Sequence, residues 1–235
     1  MTLLLFFTAF FTACVPALVW LFIFQKEDRH PEPKRMLVFA FSAGVFVSAI
    51  VFIIQYAVQN AISSKQENYF VFLLLFAFAE ELFKFLAAYK TVRKDEAFDE
   101  PVDAMIYMIA AALGFATVEN IFVVTNSIMA GGLNPIMSLT ETALIRFVGA
   151  TLLHTLASGM AGYYWAKGIM KKREAAYAVF GIILASVVHA FFNRLIIYFQ
   201  NADMLIYPSA FLVVILFIVL WNFEKLKTIR VSAGK

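Results

Sequence analysis

The chain has 235 residues, of which 63% are hydrophobic and 15% charged; it contains 27 phenylalanines and carries a net charge of +3. A soluble domain carries about a quarter charged residues, so this composition excludes one and points to a polytopic membrane protein. One cysteine, Cys14, excludes a disulfide framework and a cysteine-based zinc site, and a charge of this size calls for no nucleic acid.

The first apolar segment, about Leu3 to Phe24, lacks a basic start and is too long for the core of a signal peptide, so it reads as a retained helix. Six more follow: about Met36 to Val58, Tyr69 to Tyr89, Val102 to Ser127, Thr142 to Ala166, Ala176 to Phe199 and Leu205 to Phe223. At ~1.5 Å per residue each can cross a ~30 Å hydrocarbon core. The expectation is an all-α, polytopic transmembrane helix bundle of about seven spans.

The connectors agree with that count. Lys26, Arg29, Lys34 and Arg35 follow the first segment, and Lys90, Arg93 and Lys94 the third. Lys167, Lys171, Lys172 and Arg173 follow the fifth, and Lys225, Lys227, Arg230 and Lys235 the seventh. The intervening connectors hold only Lys65, and the one at Gly131 to Pro135 is turn-rich. The positive-inside rule then places the N-terminus outside, the C-terminus in the cytoplasm and the chain in the cell membrane as one domain, 1–235.

Charges inside the segments need a reason, because one at bilayer depth costs about 2.5 to 3.5 kcal/mol on insertion scales. The third segment contains Glu80, Glu81 and Lys84; the others contribute Glu119, Asn120, Arg146, His154, His189, Asn193 and Arg194. Counting along the segments puts Glu80 ~18 and ~15 Å from the two edges, His154 ~20 Å from each, and His189 ~24 and ~17 Å. Glu119 lies toward the outer side. Four helices thus bring acid or imidazole groups into one slab, where they can converge on one cavity. Glu80 and Lys84 are spaced i, i+4, as are His189 and Asn193, whereas Glu81 is turned by ~100°. On this spacing Lys84 neutralises Glu80, and Glu81 is the slightly preferred proton acceptor. Arg146 falls near the stripe of His154. Arg194 reads as structural, since a guanidinium does not trade a proton at neutral pH. Asn120 reads as interhelical glue.

These residues resemble the motifs of the PrsW family of intramembrane proteases, related to the CAAX prenyl endopeptidase and bacteriocin-processing (CPBP) group. The likeness lies in Glu80-Glu81-x-x-Lys84, in Phe115-x-x-x-Glu119-Asn120, in the Arg146 to His154 stretch with Gly159 and Gly162, and in His189-x-x-x-Asn193. Glu100-Pro101-Val102-Asp103, leading into Tyr107, is similar as well. Many relatives carry Asp where this chain has Asn193. The resemblance implies a catalytic core at about 69–199 and cleavage of a membrane-anchored protein or peptide. In this family the substrate is a single-pass anti-sigma factor, cut at its extracytoplasmic side as the first step of a stress-signalling cascade.

Two chemistries suit the residues. In one, Glu80 or Glu81 is a general base, and His154 or His189 with Asn193 stabilises the oxyanion. In the other, His154, His189 and one glutamate, Glu81, hold a divalent metal such as zinc, and the other glutamate accepts the proton. Glu119 belongs to the same catalytic set, with Lys84, Arg146 and Asn120 in support. Asn193 favours the metal-free version, because an amide is a poor zinc ligand and a good donor. A proton-coupled or metal-ion transporter is the alternative class, since midplane carboxylates and imidazoles also build ion sites; the lack of an inverted repeat counts against it.

Overall fold

A computed structural model of the chain describes residues 3–61, 69–129, 145–199 and 204–227. Among these residues there are seven α-helices and no strand: α1 (Leu3–Gln25), α2 (Lys34–Ala61), α3 (Tyr69–Val92), α4 (Asp103–Met129), α5 (Leu152–Met170), α6 (Glu174–Tyr198) and α7 (Ile206–Lys227). Their positions match the seven apolar segments, because a backbone in lipid must satisfy its own hydrogen bonds and a single apolar run does so only as a helix. The Gly131 to Pro135 connector, Lys65, Arg230 and Lys235 lie outside the described residues.

Four helices are long and apolar enough to cross a membrane: Lys34–Ala61, Asp103–Asn126, Glu174–Tyr198 and Ile206–Lys227. Glu80, Glu81 and Lys84 load the middle of α3, and α5 is rich in small and polar residues, which keeps both out of that set. α1 contributes a shorter apolar stretch, Phe10–Gln25.

α4 is the central helix. Ala104 to Phe115 is almost wholly buried, and α4 packs against α1, α2, α3 and α5. Small residues permit this crowding: a Cβ on Gly44 of α2 would fall 1.9 Å from the carbonyl oxygen of Ala111, and one on Gly114 of α4 would fall 1.9 Å from that of Phe41. Each glycine faces the backbone of the other's helix, a close approach that membrane helices use because packing is their main source of cohesion. α5 and α6 form a second tight pair, and α3 closes the bundle against α2 and α6. Large apolar side chains such as Phe46, Ile53, Phe217 and Trp221 point outward, as lipid-facing residues do.

One irregularity was not foreseen from hydropathy. The segment expected as one helix from Thr142 to Ala166 begins, within the described residues, with Ile145 and Arg146 and then a π-helical turn at Phe147–Thr151 before α5. Such turns recur at functional sites. This one is held by Trp20 of α1, whose indole N–H donates to the carbonyl of Phe147 (2.9 Å) and whose ring stacks on the Phe147 ring.

Candidate active site

The polar residues of α3, α4, α5 and α6 meet in one buried cluster. Glu81 and Lys84 are completely buried, His154 and His189 nearly so, while the side chains of Glu80 and Glu119 keep 12% and 29% exposure. The depth counting therefore finds its structural counterpart in Glu80, Glu81, Glu119, His154 and His189, which are neighbours.

Glu81 is fully engaged. Its Oε1 accepts from Lys84 Nζ (2.8 Å) and from His189 Nδ1 (2.9 Å), and its Oε2 accepts from the Ser158 hydroxyl (2.7 Å). Lys84 also donates to His154 Nδ1 (2.6 Å), and its ammonium lies over the ring of Phe115. An ammonium has no lone pair, so His154 Nδ1 is the acceptor and Nε2 carries the proton, which it donates to Glu119 Oε2 (2.7 Å). Arg146 lies beyond: its Nη2 is 3.1 Å from Glu119 Oε2, and its Nε donates to Asn120 Oδ1. The Asn120 amide in turn donates to Thr151 Oγ1 (3.0 Å) and to the carbonyl of Ala13 (3.3 Å), tying α4 to the π turn and to α1.

The structure adds detail to two expectations. Lys84 is 3.7 Å from Glu80 but 2.8 Å from Glu81, so its close partner is Glu81. Both i, i+3 and i, i+4 neighbours share a helix face, and the completely buried carboxylate has more need of the cation. One grouping close enough to hold a metal is made with Glu80, the neighbour of Glu81: one carboxylate oxygen of Glu80 and one ring nitrogen each of His154 and His189 lie within 4.8 Å of one another.

Glu80 differs from Glu81 in having capacity left. Its Oε1 accepts from Gln55 of α2 (3.0 Å), while its Oε2 is buried with no hydrogen-bond partner among the described residues. That oxygen lies 3.7 Å from His189 Nε2. In the tautomer that carries its proton on Nδ1, the nitrogen facing Glu81, His189 presents the lone pair of Nε2 to that oxygen. In that tautomer two lone pairs face each other. Donors of a tetrahedral zinc site with ~2.1 Å bonds stand roughly 3.4 Å apart, so this pair fits a bridging cation. A histidine that donates Nδ1–H to a carboxylate and leaves Nε2 free is the usual arrangement of a metal ligand.

Asn193 lies one turn beyond His189 on α6, half-buried and without a hydrogen-bond partner among the described residues. Arg194 is exposed and outside the cluster. Ser158 and Gln55 were missed by the sequence reading. Ser158 lies four residues after His154, on the same face of α5, and that spacing is the signal that finds it. Gln55 is an amide in an apolar helix, a weaker sign.

Comparison with known proteins matches residues 32–222 to the family described as PrsW family intramembrane metalloprotease. The chain belongs to this family. It is 29% identical to Protease PrsW of Geobacillus kaustophilus, over 75% of this chain and 73% of that protein. Identity to Protease PrsW of Oceanobacillus iheyensis is 27%, covering 89% and 92% of the two chains, and to that of Clostridioides difficile 26%, covering 93% and 90%. No solved structure matches. The chain is therefore a membrane-embedded peptidase of the PrsW family and a multi-pass membrane protein. The family description names a metalloprotease, and the Glu80, His154 and His189 grouping offers such a site.

Proposed function

We propose that this PrsW protein hydrolyses a peptide bond in a membrane-anchored protein at a divalent-metal centre held by Glu80, His154 and His189. The observation that carries the reading is Oε2 of Glu80, which makes no hydrogen bond among the described residues and lies 3.7 Å from His189 Nε2 and 3.7 Å from Lys84 Nζ inside the bundle. A bound metal of the zinc type acidifies a water and polarises a carbonyl there.

The chain's own residues divide the remaining work. Glu81, neutralised by Lys84 and fixed by Ser158, holds the His189 ring with Nδ1 protonated, so it positions a ligand rather than taking a proton. Glu119 holds the His154 ring with Nε2 protonated, so Nδ1, which here accepts from the Lys84 ammonium, is the nitrogen that would turn to a metal in place of that contact. Glu119 is the most exposed of the three carboxylates and is the proton acceptor, with Arg146 holding it in place. Asn193, on the His189 side of the cluster, supplies an amide donor to the developing oxyanion.

A second reading keeps the metal out: the free lone pair of Glu80 Oε2 takes the proton from water, and Asn193 with His189 stabilises the oxyanion. The same orphaned oxygen and the neutral amide at residue 193 favour it. The family description tips the balance to the metal.

The seven-span topology, with the N-terminus outside and the C-terminus in the cytoplasm, belongs to this proposal and rests on the lysines and arginines of alternate connectors. The substrate class, a single-pass protein of the anti-sigma-factor kind, rests on the family resemblance. The test is mass spectrometry of membranes carrying the parent protein or Glu80→Gln. Single-pass proteins truncated only with the parent support the reading. Identical membrane proteomes in a host that holds the native substrates contradict it.

A further inference from the structure

A second group of carboxylates is built where α1, α2 and α4 meet, far from the imidazoles. Asp28 and Glu32 come from the connection between α1 and α2, and Asp103 is the first residue of α4. They are 6%, 7% and 1% exposed, and one oxygen of each lies within 4.8 Å of the others. Sixteen residues of α4 separate Asp103 from Glu119, which is about 24 Å along the helix.

Glu32 and Asp103 are hydrogen-bonded to each other, and each carboxylate also accepts from a neutral donor. Asp103 Oδ2 accepts the backbone N–H groups of Asp99 (2.9 Å) and Glu100 (2.6 Å), which fixes the Glu100-Pro101-Val102-Asp103 motif as a turn into α4. Glu32 Oε2 accepts from the Tyr107 hydroxyl, and Asp28 Oδ1 accepts the N–H of His30 (3.0 Å). The nearby ion pairs join other acids: His30 to Glu100, and Lys227 to Glu27 and Glu224. Asp28 Oδ2 is enclosed and has no hydrogen-bond partner among the described residues.

We propose that Asp28, Glu32 and Asp103 bind a hard divalent cation of the Ca²⁺ or Mg²⁺ class, which clamps the α1–α2 connection onto the start of α4. The donor set is all oxygen, which suits these ions and disfavours zinc or copper. A spread of up to 4.8 Å between donors matches an ion coordinated at about 2.1 to 2.5 Å, where opposite ligands stand twice that distance apart. Oδ2 of Asp28, which makes no hydrogen bond among the described residues, would supply a free donor oxygen. This site is independent of the peptidase reading, and its ligands are chemically distinct from the histidine centre.

The test uses the full-length protein in detergent, stripped with chelator and then dialysed against Ca²⁺ or Mg²⁺. Saturable uptake of one ion per chain is expected, with a higher unfolding temperature as the ion binds. Asp28→Asn, and Asp28→Asn combined with Glu32→Gln, keep the shapes and remove charge, so affinity should fall about tenfold or more. Should these variants fail to fold, Tb³⁺ luminescence sensitised by Tyr107 in the parent provides the second readout: a saturable signal displaced by Ca²⁺ is expected. The proposal is overturned if the parent takes up neither ion saturably, if the folded variants bind as the parent does, or if Ca²⁺ leaves the Tb³⁺ signal unchanged.

Discussion

Lys84 is the residue on which the buried charges balance. It touches Glu81 and His154 with no exposure of its own. Removing one member of a buried pair leaves an uncompensated charge, at a cost of about 3–5 kcal/mol. Lys84→Met should therefore lower the unfolding temperature in detergent sharply, and adding Glu81→Gln should recover much of that stability without recovering cleavage. Recovery of both would mean that neither side chain serves the reaction. Ser158→Ala removes a neutral donor from Glu81 Oε2. If Glu81 positions His189, the expected result is a 10–100-fold loss of activity or metal affinity in a protein that still folds, and an unchanged rate would remove Ser158 from the supporting shell. The residue types at the centre were legible in the sequence because each is expensive in lipid. Their partnering was not: helical spacing cannot choose between Glu80 and Glu81 for Lys84, since both share its face, and the choice is made by Ser158 and His189 from other helices.

The helices were legible for a simple reason: apolar runs long enough to span lipid have one way to satisfy their backbone. What hydropathy does not encode is local winding, so the π turn at Phe147–Thr151 was invisible, as was its anchoring by Trp20. The crossing of α2 and α4 is also a property of pairs of residues. Gly44→Ala or Gly114→Ala would put a Cβ within 1.9 Å of a backbone oxygen, so the two helices must move apart. Overpacking of this kind costs about 1–3 kcal/mol or more, and the loss should appear as reduced yield of folded protein and a lower unfolding temperature. Wild-type stability in either variant would contradict the packing described for α4. The Glu100 to Asp103 motif was visible as a likeness, but its partners Asp28 and Glu32 come from a distant connection that only the fold brings near.

At the scale of the whole molecule, the bundle surrounds α4 and shelters acids and imidazoles from four helices in a lipid-facing shell. The connectors predict that reporter fusions after Lys227 are cytoplasmic and that accessible cysteines placed before α1 are labelled from outside; the reverse pattern would invert the assignment of sides. The central claim is a metal-dependent peptidase centre at Glu80, His154 and His189. Its most direct test is cleavage of a single-pass substrate by the purified protein in liposomes, with metal content measured on the same sample. One zinc-class ion per chain, loss of cleavage on chelation, return of cleavage on adding the metal, and loss of both ion and cleavage in Glu80→Gln are predicted. Full cleavage by exhaustively chelated protein that holds no metal would contradict it.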